Sequence, residues 1–168
     1  MNHNFLTKEK LKKLKFKILG KNVKISPNTT IIGEKNIELG DNVRIDDFTS
    51  ISAKEGSLKI GSNVHIGGQC YLGCGGGVQI KNNVRISQGV KIFSKINDYL
   101  YSSKNNNIIK GLVKIGNNVI IGSNSVVIAN TSIKDGATVG ALSLVKKNLN
   151  SWSVYAGCPA KFIKKRKK

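Results

Sequence analysis

Residues 113–145 read Val113-Lys-Ile-Gly-Asn-Asn-Val-Ile-Ile-Gly-Ser-Asn-Ser-Val-Val-Ile-Ala-Asn-Thr-Ser-Ile-Lys-Asp-Gly-Ala-Thr-Val-Gly-Ala-Leu-Ser-Leu-Val145. Aliphatic residues recur at every sixth position: Ile115, Ile121, Val127, Ile133, Val139 and Val145. Two residues before each stands a small or branched one: Val113, Val119, Ser125, Thr131, Ala137 and Ser143. An amphipathic helix needs apolar spacing of about 3.6, and a meander needs a hairpin turn roughly every eight to twelve residues. A period of six with inward positions i−2 and i fits neither. It fits a short strand, whose alternate residues share a face, followed by a tight corner. Gly116-Asn-Asn, Gly122-Ser-Asn and Asp135-Gly fall where the corners must be. These residue types tolerate positive φ or hydrogen-bond their own backbone.

The same frame extends upstream in threes. Leu19, Ile25 and Ile31 come first, followed by Leu39, Ile45 and Ile51, then Ile60, Ile66 and Leu72, then Ile80, Ile86 and Ile92. Their i−2 partners include Val23, Ile37, Val43, Leu58, Val64, Cys70, Val78, Val84 and Val90. Eighteen anchors in six groups of three predict an all-β solenoid of about six three-strand coils. Each coil must stack on the last, since none can bury its inward residues alone.

Between groups the frame slips by two or three residues, and once by far more. Ile92 to Ile115 carries 17 residues beyond the period, which predicts a protruding loop over 93–113. The loop contains Tyr99, Leu100, Tyr101, Ile108 and Ile109, which need something to pack against, so it is expected to be ordered. A long loop thrown out of a rigid repeat commonly covers a cleft or reaches a neighbouring subunit. The predicted organisation is a capping helix in 1–18, the repeat in 19–148, and a C-terminal extension with a basic tail in 149–168. Thr7 is a candidate N-cap, with Leu11, Leu14 and Ile18 at helical spacing behind it. Trp152, Pro159 and Phe162 mark a segment that folds back along the solenoid.

The chain has 168 residues and a formal net charge of +19, and 25 of its 28 cations are lysine. Residues 1–17 contribute +5 and residues 161–168 contribute +6, so the repeat itself is only mildly basic. Scarce arginine and the lack of aromatic interleaving or a binding motif speak against nucleic acid as a partner. No apolar run approaches the ~20 residues of a transmembrane helix. The N-terminus lacks the pattern of a signal peptide. Three cysteines, Cys70, Cys74 and Cys158, are too few for a disulfide framework, and the chain reads as cytoplasmic. Cys70 occupies an inward position and reads as core, whereas Cys74 falls at a corner and reads as a candidate exposed thiol.

Ile115-Gly-Asn-Asn-Val-Ile-Ile-Gly-Ser-Asn-Ser-Val-Val, Val139-Gly-Ala-Leu-Ser-Leu-Val-Lys-Lys and Val154-Tyr-Ala-Gly-Cys-Pro-Ala-Lys-Phe-Ile together resemble the hexapeptide-repeat acyltransferases. The likeness is to the maltose, galactoside and O-antigen acetyltransferase branch, and it covers the chain from about Leu19 to its end. It implies a left-handed parallel β-helix, a homotrimer, and acetyl transfer from acetyl-CoA as co-substrate to a hydroxyl or amine of a sugar. It implies no metal. The γ-type carbonic anhydrases share this fold and bind zinc through three histidines, more than the two this chain has.

The resemblance also assigns residues. Ser123 and Ala141 match positions along the groove for the pantetheine arm. Lys146, Lys147, Lys161 and Lys164 match basic positions that meet the CoA phosphates. Ile120 stands where relatives often carry Trp. The family's usual base is a histidine just before the long loop. That place falls near Ile96-Asn97-Asp98, where there is none.

Three accounts of the proton's destination follow. Asp98, beside Asn97, acts as the base, which is the account preferred here. Alternatively His65, at an outward position, reaches a site across a subunit interface. Finally, catalysis is impaired and the trimer binds CoA or a polyanion.

Overall fold

The computed structural model describes residues 5–97 and 107–167. Each hexad forms a strand of two or three residues, and the three strands of a coil enter three different sheets. Coil 1 comprises Ile18–Leu19, Lys24–Ile25 and Thr30–Ile32; coil 2, Ile37–Leu39, Arg44–Ile45 and Ser50–Ser52; coil 3, Leu58–Ile60, His65–Ile66 and Tyr71–Gly73. Coil 4 comprises Val78–Ile80, Arg85–Ile86 and Lys91–Phe93; coil 5, Val113–Ile115, Ile120–Ile121 and Val126–Ile128; coil 6, Ser132–Ile133, Thr138–Val139 and Leu144–Val145. Pairing between coils is parallel, so the chain is the parallel β-solenoid that its period of six predicts.

The register sets like on like. In the second sheet Ile45, Ile66, Ile86, Ile121 and Val139 form one continuous stack. Sixteen of the eighteen anchors are buried; Leu19 and Ile31, both in the first coil, are half-buried. Each buried aliphatic side chain contributes about 1.5–3 kcal/mol. Both ends of the stack are covered. At the start, the helix Lys8–Lys13 is capped by Thr7, whose Oγ1 accepts from the Lys10 N–H at 3.3 Å, and it buries Leu11 against the core. At the other end Tyr155 pairs with Val139 and lies over the last coil.

The corners show why Asn recurs. Asn22, Asn42, Asn63, Asn83 and Asn118 turn the chain from the first sheet to the second, each with φ between 56° and 58°. Their amides form a ladder, with Nδ2 of Asn22 donating to Asn42, Asn42 to Asn63, and Asn63 to Asn83 at 3.0–3.2 Å. The extra residues between coils all lie at one place, the corner from the third sheet back to the first. The large insertion leaves there too, through an antiparallel pair of Lys95–Asn97 with Ile108–Lys110.

One expectation fails. Cys74 is fully buried, not exposed. In coils 2 to 4 the third strand ends one residue beyond its anchor and the next residue still hydrogen-bonds to the neighbouring coil, so the pleat points inward again at Ala53, Cys74 and Ser94. Burial pushes the Cys74 thiol up to about 12 and the Cys70 thiol up to about 11, so neither is a nucleophile at neutral pH.

Candidate active site

The corner from the second sheet to the third carries small residues in its upper coils. From coil 6 down to coil 2 it reads Gly140-Ala141, Gly122-Ser123, Ser87-Gln88, Gly67-Gly68 and Asp46-Asp47. Coils approach closely here: a Cβ on Gly122 would lie 2.4 Å from the Ala141 nitrogen, and one on Gly67 would lie 2.7 Å from the Gln88 nitrogen. Buried hydroxyls fix the backbone. Ser125 Oγ donates to the Gly140 carbonyl at 2.8 Å and accepts from the Ser143 N–H at 3.2 Å. Ser143 Oγ in turn accepts from the Gly157 N–H at 3.1 Å. At Gly140-Ala141 and Gly122-Ser123 the backbone carries only small side chains, and a slender ligand can approach it closely. Ser123 and Ala141 sit on it in adjacent coils.

The four lysines are not all brought together. The extension adds Ser153–Ala156 to the second sheet and then folds back antiparallel as Lys161–Lys165. Ala156 pairs with Lys161, Tyr155 with Phe162, and Val154 with Lys164, which leaves Ile163 as the extra residue of a bulge. The bulge resets the alternation, so Lys161 and Lys164 share the outward face of the second sheet. Phe162 packs edge-on against Tyr155 at 5.8 Å. Lys161 therefore stands beside the Gly140-Ala141 corner, while Lys146 and Lys147 follow the last strand of the third sheet and are exposed at its far end.

Asn97 ends its strand exposed, at the corner between the third sheet and the first. Asp98 lies outside the described residues. Among the described residues of one chain, the base of the long loop and the Ser123–Ala141 corner occupy opposite margins of the third sheet. Between them, on that sheet's outer face, Tyr71 and Phe93 pack at 5.3 Å beside a cavity of about 260 Å³ that also touches Glu55 and Lys95. Lys95 and Lys110 hold Glu55 at 2.7 and 3.4 Å and keep its carboxyl below the ordinary value.

A cluster that sequence reading missed lies lower on the second sheet. Asp46 Oδ1 accepts from Arg44 Nε at 2.6 Å, and its Oδ2 pairs with His65 Nε2 at 2.7 Å. Partial burial opposes ionisation of Asp46, but hydrogen bonds from His65 and Arg44 outweigh it and hold the carboxyl below its ordinary value. An ionised carboxylate only accepts, so Nε2 of His65 carries the proton and Nδ1 is left as the second site on the ring. The signal was present in the sequence. Arg44 and His65 occupy the same hexad position in successive coils, and Asp46 follows two residues later on the same face.

Comparison with known proteins adds what geometry alone does not. The family model "Bacterial transferase hexapeptide (six repeats)" matches residues 112–147, and "Hexapeptide repeat of succinyl-transferase" matches residues 57–94. The chain is 39% identical to the dTDP-4-amino-4,6-dideoxy-D-glucose acyltransferase of Escherichia coli, over 98% of this chain and 90% of that one. Among solved structures it is similar to AntD, an N-acyltransferase from Bacillus cereus in complex with dTDP and 3-hydroxybutyryl-CoA. That match has 36% identity and a TM-score of 0.91, over 99% of this chain and 92% of that chain. A serine variant of AntD, with dTDP-4-amino-4,6-dideoxyglucose and coenzyme A bound, matches at 35% identity with a TM-score of 0.91, over the same shares. A maltose O-acetyltransferase from Clostridium difficile shares the fold, with 24% identity and a TM-score of 0.69 over 99% of this chain and 81% of that one.

Proposed function

The chain belongs to the hexapeptide-repeat acyltransferases, enzymes that depend on acyl-CoA, and from that premise we propose that it moves an acetyl group from acetyl-CoA to the amino group of a nucleotide-linked amino sugar. The observation that carries this reading is near-complete alignment with an acyltransferase of a dTDP-linked amino sugar, joined to the close-packed corner on which Ser123 and Ala141 sit. AntD, similar over almost the whole chain, holds such a sugar together with coenzyme A.

The pantetheine arm lies along Gly140-Ala141 and Gly122-Ser123, where exposed backbone groups meet its amides. Lys161 and Lys164, on the outward face beside that corner, meet the CoA phosphates, with Lys146 and Lys147 as further cations at the end of coil 6. The sugar amine attacks the thioester carbonyl carbon, the carbon–sulfur bond breaks, and CoA leaves as thiolate. The proton lost by nitrogen passes to the Asp98 carboxylate and on to the thiolate. No covalent enzyme intermediate and no metal enter this scheme.

Opposite placement of Asn97 and the Ser123–Ala141 corner within one chain supports a homotrimer in which Asn97 of one subunit faces the corner of the next. The reaction belongs in the cytoplasm, where acetyl-CoA is made. His65, oriented by Asp46, is the rival base, and that hydrogen bond is the observation in its favour.

The test is steady-state transfer from acetyl-CoA to dTDP-4-amino-4,6-dideoxyglucose by the wild type, Asp98→Asn and His65→Gln. Loss of a general base lowers kcat by about 10²–10⁴-fold. Such a loss in Asp98→Asn alone supports the assignment; a loss in His65→Gln alone transfers the role to His65. Wild-type turnover with free sugars but none with the nucleotide-linked sugar overturns the acceptor class.

A further inference from the structure

Lysine supplies 25 of the 28 cations of this chain, so each arginine is a departure from its bias. All three arginines lie on one face. Arg44 and Arg85 flank His65 on the outward ladder of the second sheet, and Arg166 follows the strand that folds back onto the same sheet.

Arg166 is fixed in place. Its Nη1 donates to the carbonyls of Asn118 and Gly136 at 2.9 and 3.0 Å, and its guanidinium lies 5.8 Å from the centre of the Trp152 ring. Arg85 is the opposite case: its exposed side chain has no ion pair or hydrogen bond among the described residues. Between the two runs a groove of about 490 Å³, lined by Asn63, Asn83, Arg85, Asn118, Ile120 and Arg166. No carboxylate is among these lining residues.

The lining suits a diphosphate. Guanidinium groups bind phosphate oxygens through paired N–H donors, which the ammonium of lysine cannot match in geometry. Corner asparagines add neutral amide donors without a competing charge. Placement argues for the acceptor rather than the cofactor as the source. Lys161 and Lys164 serve the last coil, whereas Arg85 belongs to coil 4 and precedes Ser87 of the close-packed corner by only two residues. A diphosphate held at Arg85 leaves its attached sugar to extend toward that corner.

We infer that this groove binds the diphosphate of the nucleotide-linked acceptor, with Arg85 as the principal contact and Arg166 as a fixed second cation. The inference rests on the acceptor class proposed above. Acetyl-CoA carries a diphosphate as well, so the experiment separates the two sources.

Wild type, Arg85→Gln and Arg85→Lys are compared in steady-state kinetics with both substrates varied, and by calorimetric titration with dTDP and with CoA. Loss of a charge-assisted contact weakens binding by about 10–100-fold. Arg85→Gln is expected to raise the acceptor KM and the dTDP dissociation constant by that factor, with kcat falling less than about threefold and the acetyl-CoA KM held. Arg85→Lys recovers part of the loss. An unchanged acceptor KM and dTDP affinity, or a rise confined to CoA, overturns the inference. If the wild type transfers acetyl only to sugars without a nucleotide, the acceptor class fails separately. The titration then still decides: dTDP binding that is lost in Arg85→Gln keeps the groove as a diphosphate site, and absence of dTDP binding to the wild type removes it.

Discussion

His65 and Asp46 lie nineteen residues apart and in different coils, yet their side chains meet at 2.7 Å. Stacking creates the contact, since residues at one hexad position become neighbours along a ladder. Folding holds the Asp46 carboxyl below its ordinary value, so the native state favours the charged form. A group whose folded pKa is depressed adds stability above its unfolded pKa, about 3.9 for aspartate, and that stability is lost as pH falls through the folded value. Asp46→Asn is therefore expected to destabilise the protein at pH 7 by at most about 1 kcal/mol, because His65 and Arg44 both face water. In urea unfolding, the difference from wild type should shrink progressively below about pH 4; a difference that is constant with pH would show that the carboxylate's charge is not what stabilises. The period placed His65 on the outer face. Its neighbours Arg44 and Asp46 follow once the second anchors of successive coils, Ile45 and Ile66, are set side by side. The hydrogen bonds between the side chains, by contrast, depend on rotamers that the period does not encode.

The corner from the second sheet to the third shows how sequence and structure divide the work at the level of the element. Anchors, strand order and the fold-back of the C-terminal segment were legible because burying aliphatic side chains every six residues leaves few alternatives. Two placements were not. Cys74 turned inward because its strand runs past the anchor, and Lys164 joined Lys161 on one face because a bulge at Ile163 shifted the alternation. Both depend on where a strand stops, which composition hardly encodes. Close approach at Gly122 makes a sharper prediction. A methyl group there meets the backbone of Ala141, which cannot rotate away, so Gly122→Ala should cost about 1–3 kcal/mol. It should also raise the acetyl-CoA KM while leaving the acceptor KM near wild type. Thermal unfolding and bisubstrate kinetics check the two parts. An unaltered acetyl-CoA KM in a destabilised variant would move the pantetheine groove elsewhere.

For the whole molecule the solenoid behaves as a one-dimensional stack, so a defect in its middle weakens both neighbours. Ile86, fully buried between Ile66 and Ile121, should cost about 2–5 kcal/mol when replaced by alanine, read from chemical denaturation. The outer surface carries the opposite signal. Phe48 and Leu142 are 66% and 72% exposed, and both adopt positive φ, 58° and 56°, at the close-packed corner. At the same corner position coils 3, 4 and 5 have Gln69, Gly89 and Asn124. Left-handed backbone costs a bulky L-residue about 1–2 kcal/mol, and exposed apolar area returns nothing to a lone chain. A second subunit laid along this corner would repay both costs and would close the groove that holds Ser123 and Ala141. If the homotrimer proposed above packs along this corner, the double variant Phe48→Asn/Leu142→Asn is expected to keep its circular dichroism spectrum and to elute as a monomer where the wild type elutes as a trimer, in size-exclusion chromatography with light scattering. Its kcat/KM should fall by more than about tenfold, as half of each site is removed. A variant that stays trimeric and active would place the subunit interface on another face of the solenoid, and would leave these two strained side chains without a structural reason.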